Sequence, residues 1–344
     1  MITALLLLAS AAATPVPGEV RTFGDWYVAC DNIWACEAGT LADNGGDFKT
    51  AMAVRIRRGG GPDAPFRIGL HPGEEVTAGP ARLQIDARPA FGGTPDSEGD
   101  TWLDGQQVPA IARLIANGKK AALILSDSST LPLSLAGSSA ALRYMDAAQQ
   151  RAGTSGAIVA TGNKLDTAVP PRAPNIFARK APAMAGLPDM KDYPQVIAAT
   201  GCEYRMEGVE DSVFPLDRQG GRDMALALIA CDAGAYNVGS VVMIAERPTG
   251  DPKAKWTFRN AEFDSATGWG GKDQQRQVVN AGFTPETGAL SEFAKGRGLG
   301  DCGTANVFAW DGSRFRLSEM HGMGECRGVW EWPRLWVAEV TVAE

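Results

Sequence analysis

The cysteines of this 344-residue chain constrain its fold more than any other feature of the sequence. There are six of them, in three groups of two: Cys30, Cys36, Cys202, Cys231, Cys302 and Cys326. Six cysteines allow about fifteen pairings, but their clustering favours the sequential one, which links 30 to 36, 202 to 231 and 302 to 326. A zinc site is the alternative, yet it requires closely spaced cysteines and usually histidine, and the chain has only His71 and His321. The pattern therefore predicts three disulfides and no metal site.

The first thirteen residues, MITALLLLASAAA, have the pattern of a cleaved signal peptide over residues 1–13. An apolar run is followed by small residues, with Ala11-Ala12-Ala13 in the place of an A-x-A cleavage site. The alternative is a membrane anchor, but the run is far shorter than the roughly 20 residues that a span requires. We expect an exported protein, periplasmic or secreted and not membrane-spanning, which agrees with disulfide formation outside the cytoplasm.

Composition indicates a globular, turn-rich protein that does not bind nucleic acid. The chain has 41 glycines and 21 prolines, an excess that favours short strands joined by many turns. Its net charge is −7, and no basic run is longer than two residues, whereas a groove for nucleic-acid phosphates needs concentrated lysine and arginine.

Periodicity divides the chain into two β-rich domains. We predict an N-terminal domain over residues 18–152, a Pro/Ala-rich linker over 153–191, and a C-terminal domain over 192–344. The linker is assigned because its periodicity disappears and its prolines remove backbone donors and fix φ. The expected fold class is mainly β with minor helix, as two sandwich-like antiparallel domains stapled by disulfides.

Alternating apolar residues predict the strands. In the N-terminal domain these are 23–30, 51–57, 66–70, 82–86, 121–126 and 131–135, and in the C-terminal domain 224–231, 235–246, 256–263, 276–283 and 307–310. Asp311-Gly312 between two alternating runs predicts a two-residue type I′ hairpin. Two helices are expected in the N-terminal domain, one from Pro109 to Asn117 and one from Ser138 or Ser139 to near Gly153.

The stretch from Gly298 to Gly303 is a literal G-x-G-x-x-G, the pattern of dinucleotide-binding loops. That motif must open a helix inside a βαβ unit, but the residues after Gly303, TANVFAW, have strand chemistry. We interpret the glycines as permitting turns and close packing around a disulfide between Cys302 and Cys326.

The same disulfide predicts a polar cluster. Antiparallel apposition of its two arms would make Asp301 and Arg327 neighbours, and we expect them to form an ion pair. The alternative is a small polar site with Arg297 and His321 at its rim.

Three tryptophans near the C-terminus, Trp330, Trp332 and Trp336, share strand parity. They could form an aromatic platform for a sugar or peptide, but we favour their being core residues beside the disulfides. Together with Arg297, Asp301, His321 and Arg327, they are the candidate binding surface.

No reactive constellation is recognisable in the sequence. It has no G-x-S-x-G elbow and no C-x-x-C pair. Paired carboxylates such as Glu262 and Asp264 could act as acid and base only if the fold spaces them suitably. We assign no catalytic, cofactor-binding or metal-ligating residue.

Several motifs resemble a bacterial envelope family, domain of unknown function 1176. They are FGDWYVACDNIWACEA, AYN at 235–237, KGRGLGDCG with a W-D-G-x-x-F-x-L hairpin, and ECRG followed by WPRLW. The N-terminal half, with its closing LSLAGSSAALRYMDAAQQR, is also similar to invasion-associated locus B proteins. The resemblance implies an exported, disulfide-bonded protein of Gram-negative bacteria and carries over no catalytic residue.

The function expected is therefore that of a non-enzymatic exported protein, which binds an envelope component or a protein partner. Two alternatives are a hydrolase of an envelope polymer using Asp/Glu acid–base chemistry and an inhibitor of host or competitor enzymes.

Overall fold

The computed structural model describes residues 14–42, 48–71, 79–202, 208–268 and 277–343. The predicted signal peptide lies outside the described residues. Strands greatly outnumber helices in the described part of the chain. The predicted mainly β fold with minor helix is confirmed.

The described residues of the N-terminal half form ten strands and two α-helices. They are β1 (Val20–Phe23), β2 (Trp26–Cys30), β3 (Cys36–Thr40), β4 (Val54–Arg58), β5 (Phe66–Leu70), β6 (Ala81–Ile85), β7 (Arg88–Gly93), β8 (Thr101–Asp104), α1 (Val108–Asn117), β9 (Ala121–Ile124), β10 (Thr130–Leu133) and α2 (Ser138–Ala148). Six strands form one antiparallel sheet in the order β1-β2-β3-β4-β5-β8, and four form another in the order β10-β9-β6-β7.

In the C-terminal half, the part of the chain that the structure describes forms twelve strands and one α-helix. They are β11 (Asn175–Arg179), α3 (Pro194–Ala199), β12 (Ser212–Gln219), β13 (Arg222–Ala233), β14 (Val238–Pro248), β15 (Thr257–Asn260), β16 (Gln277–Val279), β17 (Gly282–Thr284), β18 (Ala289–Lys295), β19 (Gly303–Trp310), β20 (Phe315–Met323), β21 (Arg334–Val337) and β22 (Glu339–Ala343). Short 3-10 turns occupy Phe48–Thr50 and Met190–Asp192.

The N-terminal core lies on one face of the six-stranded sheet. Alternation along β2 and β4 directs Trp26, Val28 and Ile56 to that face, which packs against both helices and the four-stranded sheet. Helix α1 runs as predicted, whereas α2 ends at Ala148, five residues before the predicted end near Gly153.

The C-terminal core lies between two five-stranded antiparallel sheets, one built on β12 to β16 and the other on β17 to β21. Leu226 and Ile244 from the first sheet meet Phe308 and Phe315 from the second. This arrangement is the sandwich that the sequence predicted for this half.

Two predicted local structures are wrong in detail. The strand predicted from Phe23 to Cys30 is interrupted at Gly24, whose φ of 58° turns the chain between β1 and β2. The hairpin after Trp310 has four connecting residues, because the Asp311 carboxylate accepts hydrogen bonds from the backbone N–H groups of Ser313 and Arg314. Side-chain capping of this kind replaces the predicted type I′ turn.

The segment 153–191, predicted as a linker, contains β11. This strand pairs in parallel with β22, and its Ile176 and Ala178 are buried against Ala309 and Ala338. The segment therefore contributes a strand to the packing of the C-terminal half.

All three predicted disulfides are present. Cys30–Cys36, Cys202–Cys231 and Cys302–Cys326 have Cα–Cα distances of 4.0, 5.1 and 4.7 Å. The first joins neighbouring strands β2 and β3, where the two cysteines are register partners.

On the face of the six-stranded sheet opposite the helices, two glycines make room for aromatic rings. A Cβ added at Gly39 would lie 2.8 Å from the Tyr27 ring, and one at Gly69 would lie 2.8 Å from the Trp102 ring. Each ring therefore lies flat over a neighbouring strand because glycine stands beneath it.

We predict that Gly69→Ala destabilises the protein by about 1–3 kcal/mol, because the new methyl group must push the Trp102 ring away. Chemical denaturation measures the free energy of unfolding. Gly324→Ala is the control, since a Cβ there meets nothing within 4 Å. Equal unfolding free energies for the two variants would contradict the packing role of Gly69.

Candidate functional site

The face of the six-stranded sheet opposite the helices carries a row of charges. Register places Glu37 beside Arg57, Arg57 beside Arg67, and Arg67 beside Asp104. Because side chains alternate along each strand, all four project from the same face. We call these four residues the charged row.

At the centre of the charged row, two arginines stand directly opposite each other. Like charges at opposed positions on neighbouring strands are destabilising. The side chains of Arg57 and Arg67 are 39% and 37% exposed, and both guanidinium groups lie over the Trp102 ring, 5.0 and 4.3 Å from its centroid. Stacking on the ring holds the two positive charges close together.

Glu37, the carboxylate at the β3 end of the charged row, holds Arg57 in place. It accepts hydrogen bonds from Arg57 Nε and, at 2.6 Å, from the Tyr27 hydroxyl. Burial and the adjacent Glu37 raise the pKa of Tyr27 well above its usual range, so the phenol remains a donor.

Behind the charged row lies a third arginine, Arg55, whose side chain is fully buried. It pairs with Asp100 and with Glu331 of the C-terminal half. Burial acts to raise the pKa of Asp100, but hydrogen bonds from His71 and Arg55 hold it below its usual value. Arg55 is thus a buried cation paired with two carboxylates, although its Nε has no hydrogen-bond partner.

The C-terminal half supplies the opposite wall. His321 on β20 lies 2.7 Å from Glu319 through Nε2 and 2.8 Å from the Trp332 carbonyl through Nδ1. Arg334 on β21 is the register partner of His321 and reaches across to Asp31 at 2.8 Å. Both ring nitrogens of His321 therefore face acceptors.

Between the two walls is an open cleft with a volume of about 420 Å³. Its charged lining comprises four arginines, three carboxylates and one histidine: Arg57, Arg58, Arg67, Arg334, Asp31, Glu37, Glu319 and His321. Because the guanidinium of Arg58 is turned away and paired with Asp146, the charges that face the cleft nearly balance, whereas the whole chain carries a net charge of −7.

Side chains that line the cleft also have unused donors. Among the described residues, Nε of Arg67 and Nε1 of Trp332 are buried without a hydrogen-bond partner. Both are donors, and buried donors are ordinarily satisfied. Arg58 points to the opposite face of the sheet, where its Nη1 lies 3.9 Å from the Asp146 carboxylate.

The structure separates the candidate residues named from the sequence. His321 and Trp332 line the cleft, whereas Arg297 and Asp301 lie beside the Cys302–Cys326 disulfide. Trp330 is 48% exposed and packs edge-on against Phe48.

An aromatic platform of Trp330, Trp332 and Trp336 does not form. Trp332 is buried and stacks on Phe293 at 4.6 Å, while Trp336 donates to the Leu317 carbonyl beside the sandwich core. Residues 330–333 form no strand, so the shared parity on which the platform depended does not exist.

The predicted ion pair between Asp301 and Arg327 is wrong. Asp301 is fully buried and accepts two hydrogen bonds from Arg297, at 2.7 and 2.6 Å, and one from the Gly328 N–H. Gly296 N–H donates to the Cys302 carbonyl, and this fold-back brings Arg297 to Asp301 within one loop.

Arg327 instead reaches into the N-terminal half. It donates to the carbonyls of Gly24 and Ala42 and to the Asp25 carboxylate, at 2.9, 2.7 and 2.7 Å. Arg327 is therefore a contact between the two halves and lies outside the cleft lining.

The glycine motif behaves as interpreted from the sequence. Gly303 begins strand β19 and has a φ of 143°, and a Cβ there would lie 2.0 Å from the Ala294 carbonyl oxygen. The last glycine of the motif therefore begins strand β19, at a point where the backbone lies in close contact with strand β18.

Sequence reasoning missed the charged row, Trp102 and Arg334. The available signal was the alternation in VRIRR and FRIGL, which puts arginines on the polar side of two strands. Arginine on a strand's polar face is usually a solvent-exposed residue, so only the pairing of β4 with β5 reveals the cluster.

We predict that Asp301→Asn lowers the free energy of unfolding near pH 7 by about 1.5–3 kcal/mol, because two charge-assisted hydrogen bonds are lost. Burial acts to raise the pKa of Asp301, but the hydrogen bonds from Arg297 and Gly328 hold it below the usual value. The wild-type advantage is therefore present above the unfolded pKa of about 3.9 and is lost as the pH falls through the lower folded value.

Denaturant titrations near neutral pH and near pH 2 measure this difference. Asp63→Asn, at an exposed position, is the control and should change stability by less than about 0.5 kcal/mol. A destabilisation by Asp301→Asn that is the same at both pH values would show that the ionised carboxylate is not responsible.

Comparisons with known proteins agree with the resemblance found in the sequence. The model of the family described as protein of unknown function DUF1176 matches residues 20–339. The uncharacterized protein YpfG of Escherichia coli (strain K12) is 30% identical over 359 residues, which cover 96% of this chain and 96% of that protein. No solved structure matches. Across the described residues, no helix has the length and apolar character needed to cross a membrane. The chain therefore belongs to the DUF1176 family.

Proposed function

We propose that this protein is a non-enzymatic, exported protein that binds an anionic envelope component or protein partner in the cleft between its two halves. The observation that carries the proposal is the opposed pair Arg57 and Arg67. Arg57 is paired with Glu37 and Arg67 with Asp104, but two adjacent guanidinium groups still repel each other, and an anion bound between them would offset that repulsion. Arginine is also the side chain best suited to carboxylate and phosphate recognition.

Several observations support a binding role. The cleft volume of about 420 Å³ lies within the ordinary range for ligand sites. The unpaired donors of Arg67 and Trp332 suit a ligand with acceptor oxygens. Stacking on Trp102 pre-orients both arginines, which lowers the entropic cost of binding.

Export is supported by the residues themselves. The N-terminal run MITALLLLASAAA has the pattern of a signal peptide, and three disulfides are typical of an oxidising compartment such as the bacterial periplasm.

The alternative of a hydrolase has less support. An acid–base pair needs one carboxyl group that can donate a proton. In the cleft, Glu37 accepts from Arg57 and Asp31 accepts from Arg334. Asp264, named from the sequence with Glu262, accepts from Arg316 and the Leu317 N–H. Each of these three carboxylates is already engaged with arginine, and the remaining carboxylate of the cleft, Glu319, contacts His321 at 2.7 Å. Among the described residues, no contact favours the second alternative, an enzyme inhibitor.

We predict that the double variant Arg57→Gln/Arg67→Gln binds anionic envelope material at least about tenfold more weakly than the wild type, because charge-assisted hydrogen bonds are lost. Isothermal titration with soluble peptidoglycan fragments, lipopolysaccharide and inorganic phosphate measures the affinity. Arg88→Gln, an exposed arginine on the other sheet, is the matched control.

The three probes also distinguish the anion. Carboxylates predominate in the peptidoglycan fragments and phosphates in the lipopolysaccharide. A wild-type protein that binds none of the probes, or a double variant that binds as tightly as Arg88→Gln, would refute the proposed function.

A further inference from the structure

One carboxylate of the C-terminal half lies at the edge of the cleft, against Arg57 of the cleft lining. Glu331 lies between Cys326 and β21, and its side chain is 58% exposed. Its Oε2 atom nevertheless accepts from Nη1 of Arg55 and, at 3.2 Å, from Nη2 of Arg57. A largely exposed acidic side chain thus bridges a fully buried arginine and an arginine of the charged row.

The two arginines are held in place by groups other than Glu331. Arg55 pairs with Asp100 and lies 5.2 Å from the Trp102 centroid. Arg57 pairs with Glu37 and lies over the same ring. Their guanidinium groups therefore keep their positions if Glu331 leaves, and the Nη1 of Arg55 that Glu331 now occupies would then lack an acceptor.

The carboxylate of Glu331 itself loses little on leaving, because its side chain is more than half exposed and water solvates the freed group well. The cost falls on Arg55, whose buried guanidinium would keep only Asp100 as a carboxylate partner. A second carboxylate that enters in its place restores the same charge and the same acceptor geometry for both arginines.

We propose that Arg55 and Arg57 form a carboxylate subsite of the cleft, which Glu331 occupies in the free protein and from which a carboxylate-bearing ligand displaces it. This inference rests on the proposed function and adds the chemical class of the ligand and the group that competes with it. The carboxylate can come from the peptide portion of a cell-wall fragment or from an acidic peptide of a protein partner.

The substitution Glu331→Gln removes the competing charge and keeps the shape of the side chain. We predict that it tightens binding of a carboxylate-bearing peptidoglycan fragment by about fivefold, the equivalent of one weak surface ion pair. Glu331→Ala, which also removes the amide that could remain in the subsite, should tighten binding at least as much. Titration calorimetry on the full chain measures both.

Glu325→Gln is the matched control. Glu325 lies on the same segment and is also partly exposed, but it contacts Arg327 at 3.8 Å and not the cleft arginines. The Glu325→Gln substitution changes the net charge by the same amount as Glu331→Gln. Any gain in affinity that comes only from the net charge therefore appears in both variants. Melting temperatures of all the variants check that the two halves remain folded together.

Three probes identify the carboxylate and its source. They are the peptidoglycan fragment, the same fragment with its carboxylates amidated, and a short poly-glutamate peptide. The fragment should bind more tightly to the Glu331 variants than to Glu325→Gln, and amidation should abolish this gain. A gain seen only with poly-glutamate assigns the carboxylate to a protein partner.

Two outcomes would overturn the inference while leaving the proposed function intact. One is unchanged or weaker binding by both Glu331 variants, which would mean that Glu331 only joins the two halves. The other is a gain in affinity of the Glu331 variants over Glu325→Gln that is equal for the amidated and the acidic fragments. The proposed function fails separately, if wild-type protein binds no anionic probe or if loss of Arg57 and Arg67 has no effect.

Discussion

The contact between the Cys302–Cys326 loops and the N-terminal sheet organises the molecule. Arg327, next to the disulfide, donates three hydrogen bonds to the N-terminal half. Around it, a cluster of buried apolar side chains joins both halves: Tyr27, Leu41, Met52, Cys302, Met323, Val329 and Trp332. The disulfide fixes the loops that carry these groups, so the position of one half against the other depends on it.

This contact leaves a cleft because the sheet face that the C-terminal half covers carries two rows of side chains with different chemistry. In one row, Tyr27 lies over Gly39 and Trp102 lies over Gly69, on either side of the buried Arg55. In the next row, Glu37, Arg57, Arg67 and Asp104 carry charges. The C-terminal half buries Tyr27 with its apolar cluster and pairs Glu331 with Arg55, while the charged row lines a gap. Burying that row would desolvate four charged groups at once, which is costly and explains why the row is left accessible.

Local patterns predicted those parts of the fold that local physics controls. The strands, the two longer helices and the glycines around Cys302 all depend on neighbours within a few residues. The errors occurred where the same local signal allows two structures. Alternation continues through the turn at Gly24, and Asp311-Gly312 suits both a two-residue hairpin and the wider turn that the Asp311 carboxylate caps. Strand β11 was missed because its partner, β22, lies more than 150 residues away along the chain.

By itself, the sequence determined the mainly β fold, the three disulfide pairings and the role of glycine beside Cys302, because each follows from spacing or from backbone geometry. Only the tertiary structure decided that Asp301 pairs with Arg297, that the three tryptophans separate, and that Arg57 and Arg67 meet Arg334 and His321 across a cleft. These contacts join side chains through sheet register and the docking of two halves. A change of one residue in register moves every side chain of a strand to the opposite face, so no local pattern could have specified them.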